Sequence, residues 1–85
     1  NYPNPFNPTT TIKYGIPETG NVSVVVYNTL GQKVRTLVSG NQEAGYYEVI
    51  WDGTNNIGQN VGSGIFFYRV ESNGQAAVRK MILMK

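Results

Sequence analysis

Glycine and proline divide this chain into short segments, and that division limits its fold more than any other feature of the sequence. Ten glycines and four prolines are distributed among 85 residues. The segments between them are rich in valine, isoleucine, threonine and aromatic residues. Glycine and proline are unfavourable inside helices, whereas β-branched and aromatic residues are enriched in strands. The sequence therefore predicts an all-β fold.

Alternation of apolar and polar residues indicates where the strands lie. The predicted strands cover residues 9–16, 21–28, 33–39, 46–52, 63–72 and 75–85. Turns are expected at 17–20, at 29–32, where Gly31 needs a positive φ, and at 40–45, and Asn73-Gly74 is typical of a two-residue type I′ hairpin. This spacing predicts an antiparallel β-sandwich of about seven strands.

Three sets of alternating side chains are predicted to face the core. They are Ile12, Tyr14 and Ile16; Val22, Val24 and Val26; and Tyr47, Val49 and Trp51. Both faces of the second strand are largely apolar, which predicts a central position in its sheet. Trp51 is the best single core candidate, and its indole N–H needs an acceptor.

Length and composition exclude most catalytic chemistry. A chain of 9.4 kDa accommodates one domain, residues 1–85, and its first residue, Asn, suggests a piece of a longer protein. Without Cys or His it has no disulfide, no thiolate metal site and no histidine general base. We therefore expect no enzyme activity and no cofactor.

Charge and hydropathy also restrict the partners. The net charge is only +2, and the seven cations are spread along the chain rather than forming the basic stripe that binds phosphates. No apolar run approaches the roughly 20 residues that span a bilayer. We expect a monomer with neither a nucleic-acid partner nor a transmembrane segment.

The polar loop at 52–64 is the best candidate for a metal site. Asp52, Asn55 and Asn56 offer the hard oxygen ligands that Ca²⁺ uses, although the spacing is not that of an EF-hand. Asx residues also satisfy loop backbone without a metal, and this interpretation is favoured. Ile57 and Val61 are expected to point inward from the loop.

Paired carboxylates and an aromatic platform have simpler explanations. Four of the five acidic residues, Glu18, Glu43, Glu48 and Glu71, fall in turns or at solvent-facing positions, so an acid–base pair is not indicated.

An exposed group of aromatic residues could bind sugars, as in a carbohydrate-binding module. Packing explains these residues more simply; they are Tyr46, Tyr47, Phe66, Phe67 and Tyr68.

The first eight residues, NYPNPFNP, are the segment least easily explained by packing within the domain. Pro3, Pro5 and Pro8 prevent a helix and hold the chain extended. A stiff linker would account for the prolines but not for Tyr2 and Phe6. We therefore expect residues 1–8 to dock on the edge of a sandwich formed by residues 9–85.

Three motifs in order resemble the type A C-terminal sorting domain of type IX secretion cargo, over the whole chain. The first is Tyr2 to Pro8 followed by Thr10-Thr11-Ile12, and the second is the valine-rich strand with Tyr27-Asn28, Gly31 and Val34. The third is Lys80-Met81-Ile82-Leu83-Met84-Lys85. The stretch from Trp51 to Tyr68 also resembles the immunoglobulin-like domain of the flagellar hook-capping protein.

These resemblances imply an immunoglobulin-like β-sandwich without catalytic activity. The first implies a signal that directs a larger cargo protein from the periplasm through the type IX outer-membrane translocon to the surface of a Gram-negative bacterium. A sortase-type surface protease would then usually remove the domain and attach the cargo to lipopolysaccharide. The motif residues implied are Pro3, Asn4, Pro5, Phe6, Asn7, Pro8, Gly31, Val34, Lys80, Met81, Ile82, Leu83, Met84 and Lys85.

Two other functions fit the same sequence. One is a structural or interaction module, such as a hook-cap-like domain or a spacer in a surface protein, which would persist in the mature protein. The other is the carbohydrate-binding module considered above.

Overall fold

A computed structural model of the chain describes residues 9–84. These residues form two layers of β-strands. The strands are β1 (Thr10–Ile16), β2 (Gly20–Tyr27), β3 (Lys33–Gln42), β4 (Gly45–Trp51), β5 (Gly64–Ser72) and β6 (Gln75–Leu83). All pairings are antiparallel. The all-β prediction is confirmed, with six strands in the described part of the chain, where no helix could cross a membrane.

The two sheets differ in width. The smaller sheet contains β1 and β4, and the larger has the order β3-β2-β5-β6. The predicted central position of β2 is confirmed, because it pairs with β3 on one side and β5 on the other. Two strands therefore cover a layer of four, and part of the larger sheet has no opposite layer among residues 9–84.

The core contains the side chains that alternation predicted. Ile12, Ile16, Val22, Val24 and Val26 are buried between the sheets. The centroid of the fully buried Trp51 ring lies 5.1 Å from that of Phe66, edge to face. The indole N–H of Trp51 donates to the Thr54 carbonyl at 2.9 Å, which supplies the expected acceptor.

Both predicted glycine-dependent turns have the required backbone geometry. Asn73 (φ 51°) and Gly74 (φ 80°) both have positive φ, as a type I′ hairpin requires. Gly31 has a φ of 80° in the turn between β2 and β3. In that turn the Asn28 side chain accepts hydrogen bonds from the backbone N–H groups of Leu30 and Gln32, each at 2.9 Å.

Several predicted boundaries were wrong. Strand β3 continues to Gln42, so the first half of the polar turn predicted at 40–45 is extended strand paired with the start of β2. Strand β4 ends at Trp51 rather than at residue 52, and β6 ends at Leu83 rather than at residue 85. The polar residues at 40–42 favour a turn in the sequence, but an edge strand facing solvent also takes polar residues.

Candidate interaction surface

The residues of the sequence motifs are separated in the structure. Residues 1–8 and Lys85 lie outside the described residues, so the predicted docking of 1–8 stays a prediction. Gly31 is exposed in its turn, and an added Cβ there would meet no atom within 4 Å. Val34 is half-buried in β3 and packs on the core, so the second motif combines a turn with a packing position.

Strand β6 presents the third motif with alternating exposure. Leu83 is only 2% exposed and Met81 packs partly against the core. Lys80, Ile82 (60% exposed) and Met84 (74% exposed) face solvent. Because β6 is the last strand of its sheet, its outer edge is unpaired among residues 9–84. The motif therefore combines residues that hold the strand in place with residues that a partner could contact.

An exposed apolar patch surrounds this part of β6. Ile65 of β5 lies directly opposite Ile82 in the register, and Val78 lies further along β6 on the same face. Their exposed fractions are 44% for Ile65 and 58% for Val78. The patch, defined by Ile65, Val78 and Ile82, lies on the outer face of the larger sheet. Lys80 lies between Val78 and Ile82 along β6. The patch is therefore an apolar surface that carries one positive charge.

The opposite edge of the larger sheet is covered by the loop between β4 and β5. The Asn56 N–H donates to the Val34 carbonyl at 3.0 Å, and the Thr36 N–H donates to the Asn56 side-chain oxygen at 2.9 Å. Arg35 holds the same loop, since its guanidinium donates to Thr54 Oγ1 at 3.0 Å and to the Asn55 carbonyl at 2.8 Å. The first part of β3, residues 34–36, is therefore closed to an additional strand, whereas the edge of β6 is open.

The polar side chains of this loop hold the loop itself together. Asp52 Oδ1 accepts hydrogen bonds from the N–H and the hydroxyl of Thr54. Asn55 Oδ1 accepts from the N–H groups of Ile57 and Gln59 at 3.1 and 3.0 Å. With Asn56 bonded to β3, the three predicted Ca²⁺ ligands point to separate backbone donors. This arrangement favours the explanation by loop structure over the metal site.

The carboxylate of Asp52 also has an altered acidity. The hydrogen bond from the Thr54 side chain holds the pKa of Asp52 below its ordinary value of 3.8, because it stabilises the ionised form. The nearby Arg35 lowers this pKa further, while partial burial opposes both effects. No group of three or more His, Cys, Asp or Glu side chains suited to a metal occurs within residues 9–84.

The two apolar residues of the loop differ in position. Val61 packs partly against the core, as predicted. Ile57 is 77% exposed, so its predicted inward position was wrong. It lies in the turn formed by Asn55 to Gly58, where the Gly58 N–H donates to the Asn55 carbonyl at 3.0 Å.

The acidic residues on the strands pair with neighbouring cations. Glu48 lies 3.8 Å from the ammonium of Lys13 across the smaller sheet, and both side chains are mostly exposed. Glu71 accepts a hydrogen bond from Arg69 at 3.1 Å on the larger sheet. Neither pair brings two carboxylates together, so the geometry of a glycosidase site is not formed by these residues.

The aromatic residues do not form an outward platform. Phe66 is in the core, and Tyr47 stacks on Tyr14 with centroids 5.5 Å apart. Of the five candidates only Tyr46 is classed as exposed, at 95%. Its ring lies over the backbone of Gly15, the residue opposite it in β1. A Cβ added to Gly15 would come within 2.9 Å of this ring. Four of the five aromatic residues are thus at least partly buried, which weakens the carbohydrate-binding alternative.

Sequence reasoning missed two features of this surface. The sequence does not predict that Asn56 covers β3, since a single sequence does not show which edge a distant loop reaches. The exposed patch was also missed, because alternation in β6 is hidden by apolar residues on both faces. A signal for the patch was present in the cross-strand pairing that the Asn73-Gly74 turn fixes, since a two-residue hairpin sets Ile65 opposite Ile82.

Comparison with known proteins gives the family of this fold. The model of the FlgD Ig-like domain family matches residues 8–76. The crystal structure of FlgD from P. aeruginosa is similar, with a TM-score of 0.70 and 25% sequence identity over 89% of this chain. This chain spans 60% of that structure. A search of curated proteins gave no match. With two antiparallel sheets and a family match over most of its length, the chain belongs to the FlgD Ig-like domain family.

Proposed function

We propose that this chain is a non-catalytic, structural Ig-like module of a larger protein, and that it acts through protein contacts. Membership of the FlgD Ig-like domain family supports a structural module. The polar side chains of the candidate metal loop are engaged in internal hydrogen bonds, and the strand carboxylates pair with cations. These observations favour a surface that binds over a site that reacts.

The observation that carries the proposal is the exposure of β6 at an unpaired edge. A partner strand could add to this edge through backbone hydrogen bonds, with Ile82 and the neighbouring patch supplying apolar contact. Lys80 adds charge that favours an acidic or carboxylate-bearing partner. The buried Leu83 holds the strand in place and is not available for contact.

A second function, the type IX sorting signal, is favoured by the position of the third motif on this same strand. Lys80, Ile82 and Met84 are exposed, so the outer-membrane translocon and the sortase-type protease could reach them in the folded domain. Under this proposal the larger protein passes through the periplasm to the surface of a Gram-negative bacterium. The domain would act as a monomer and would usually be removed after export.

One experiment tests the proposal and separates the two functions. The variant Ile82→Ser is introduced into the full-length protein in its own cell, and Leu83→Ala serves as a comparison. Ile82→Ser should change the free energy of unfolding by less than about 0.5 kcal/mol, because the Ile82 side chain is mostly exposed. Leu83→Ala should cost about 2–5 kcal/mol because it leaves a cavity.

The location and intact mass of the mature protein give the answer. A sorting signal predicts that the Ile82→Ser protein stays in the periplasm although its domain melts normally, and that the wild-type surface protein lacks residues 1–85. A structural module predicts normal location and a retained domain in both, with the assembly of the parent protein weakened by Ile82→Ser. If only Leu83→Ala has an effect, β6 is not a contact surface and the proposal is wrong.

A further inference from the structure

Strand β6 is exposed on its core side as well as on its outer face. Ala77 and Arg79 lie opposite Val70 and Tyr68 in the register, and both of these β5 residues pack against the core. The side chains of Ala77 and Arg79 therefore project towards the core side of the larger sheet, yet both residues are exposed. The smaller sheet has two strands over a layer of four and does not cover them.

A groove lies between this side of β6 and strand β1. Its volume is about 280 Å³, and its lining includes Lys13 and Gly15 of β1, Val70 of β5, and Ala77 and Arg79 of β6. Gly15 and Ala77 have no side chain long enough to fill the space between the two walls. A further recess of about 150 Å³ extends past Ala77 to the start of β6. The groove therefore follows β6 over several residues.

The charge of this groove is positive. Lys13 and Arg79 both line it, and no acidic residue of the described chain does. The contact of Lys13 with Glu48 is long, at 3.8 Å, and leaves the Lys13 side chain 75% exposed. The Arg79 side chain has no ion-pair partner within residues 9–84. An unpaired guanidinium favours a carboxylate, which it can bind through two parallel hydrogen bonds.

A strand added to the edge of β6 would present its own side chains to this groove. Residues directly opposite each other on paired strands have Cβ atoms about 4.5–5.5 Å apart. Because Ala77 and Arg79 are two residues apart, they face two positions of the added strand that are also two apart and on the same side. A long apolar side chain opposite the small Ala77 can extend over it to contact Val70. An acidic side chain opposite Arg79 would pair with its guanidinium.

We propose that the partner segment that adds to β6 is an extended acidic peptide with an apolar residue two positions after an Asp or Glu. The order follows from antiparallel pairing, which all strand pairs of residues 9–84 show. The apolar side chain fills the groove above Ala77, and the carboxylate binds Arg79. This inference rests on the contact through β6 proposed above, and it adds the chemical class of the partner.

Two matched pairs of variants of the 85-residue chain test the proposal. Ala77→Leu fills the groove, whereas Ala76→Leu adds the same bulk on the outer face of the sheet. Arg79→Gln removes the charge on the groove side, whereas Lys80→Gln removes the neighbouring charge on the outer face. All four positions are exposed, so the Tm of each variant should stay close to that of the unmodified chain.

The probe is a synthetic nine-residue peptide in which threonine alternates with valine, glutamate, leucine and valine, in that order. A second peptide has glutamine in place of the glutamate. Titration followed by NMR gives the Kd and shows whether the resonances of β6 move. Ala77→Leu should weaken binding of the first peptide by about tenfold or more, because the peptide leucine loses its site. Ala76→Leu should leave the Kd unchanged.

The charge pair gives a second, independent result. Arg79→Gln should weaken binding of the glutamate peptide by about three- to fivefold, as expected for a cross-strand ion pair, and should leave binding of the glutamine peptide unchanged. Lys80→Gln should have a smaller effect on the glutamate peptide, because its side chain lies on the other face.

The outcomes separate this inference from the function on which it rests. Equal losses in the two leucine variants, or the same loss for both peptides in Arg79→Gln, would overturn the inference while leaving the contact through β6 intact. If neither peptide binds, or if binding does not move the resonances of β6, the inference is wrong together with the proposed addition of a strand to β6.

Discussion

Replacing Trp51 by Phe tests whether the core and the β4–β5 loop are coupled through one hydrogen bond. The indole of Trp51 fills the core beside Phe66, and its N–H reaches the Thr54 carbonyl at 2.9 Å. Thr54 lies in the loop that covers β3, so this bond connects the interior to the covered edge. Phenylalanine retains an aromatic ring but has no donor.

The expected cost follows from the two losses. The hydrogen bond contributes about 1 kcal/mol net. The void left by the smaller ring adds about 1 kcal/mol on the scale found for core cavities. A total of about 2 kcal/mol corresponds to a fall in Tm of roughly 8–16 °C for a domain of this size. Thermal unfolding followed by circular dichroism measures it.

Hydrogen exchange distinguishes the coupling from a general loss of stability. The amides of Asn56 and Thr36, which join the loop to β3, should lose protection in Trp51→Phe. The control Phe66→Leu disturbs the same ring contact but keeps the indole bond, so these amides should lose protection only in proportion to the change in Tm. Equal protection at matched stability in the two variants would refute the coupling.

The remaining predictions concern a turn and a pH effect. Gly31→Ala should destabilise the domain by about 1–2 kcal/mol in chemical denaturation through its positive φ alone, since an added Cβ meets no atom within 4 Å; a larger loss would show a contact at this turn. The variant Asp52→Asn removes the titrating carboxylate. Because the pKa of Asp52 is lowered in the folded state, its carboxylate stabilises the fold above pH 3.8, and this stabilisation is lost as the pH falls through the folded-state pKa. The Tm of the wild type relative to Asp52→Asn should therefore be constant above pH 5 and decline below pH 3.8, and a difference that does not depend on pH would contradict this.

Local patterns predicted the strands and the core because they depend on neighbouring residues. Ile12, Ile16 and Trp51 follow from alternation within single strands, and the type I′ turn follows from two residues with positive φ. These features require no knowledge of distant parts of the chain. The predicted antiparallel sandwich, with β2 central in its sheet, is also confirmed.

The remaining features depend on contacts between distant segments. The exposure of Ile57 and the bond from Asn56 to β3 depend on where a loop lies relative to a strand some 20 residues earlier. The division into two and four strands depends on which edges pair. Composition does not reveal that division, so the sequence shows the pairing of Ile65 with Ile82 but not that their face of the larger sheet is left exposed.

The cover over β3 has a consequence for crowded conditions. Two copies of a sandwich can join edge to edge and continue into a fibre only if both outer strands of a sheet accept a neighbour. Asn56 occupies the start of β3 on every copy, so it hinders growth of the larger sheet through this edge. A deletion that shortens residues 55–59 would uncover this part of β3 while keeping Thr54, the acceptor of the Trp51 indole, and the resulting protein would associate through this edge more readily without first unfolding.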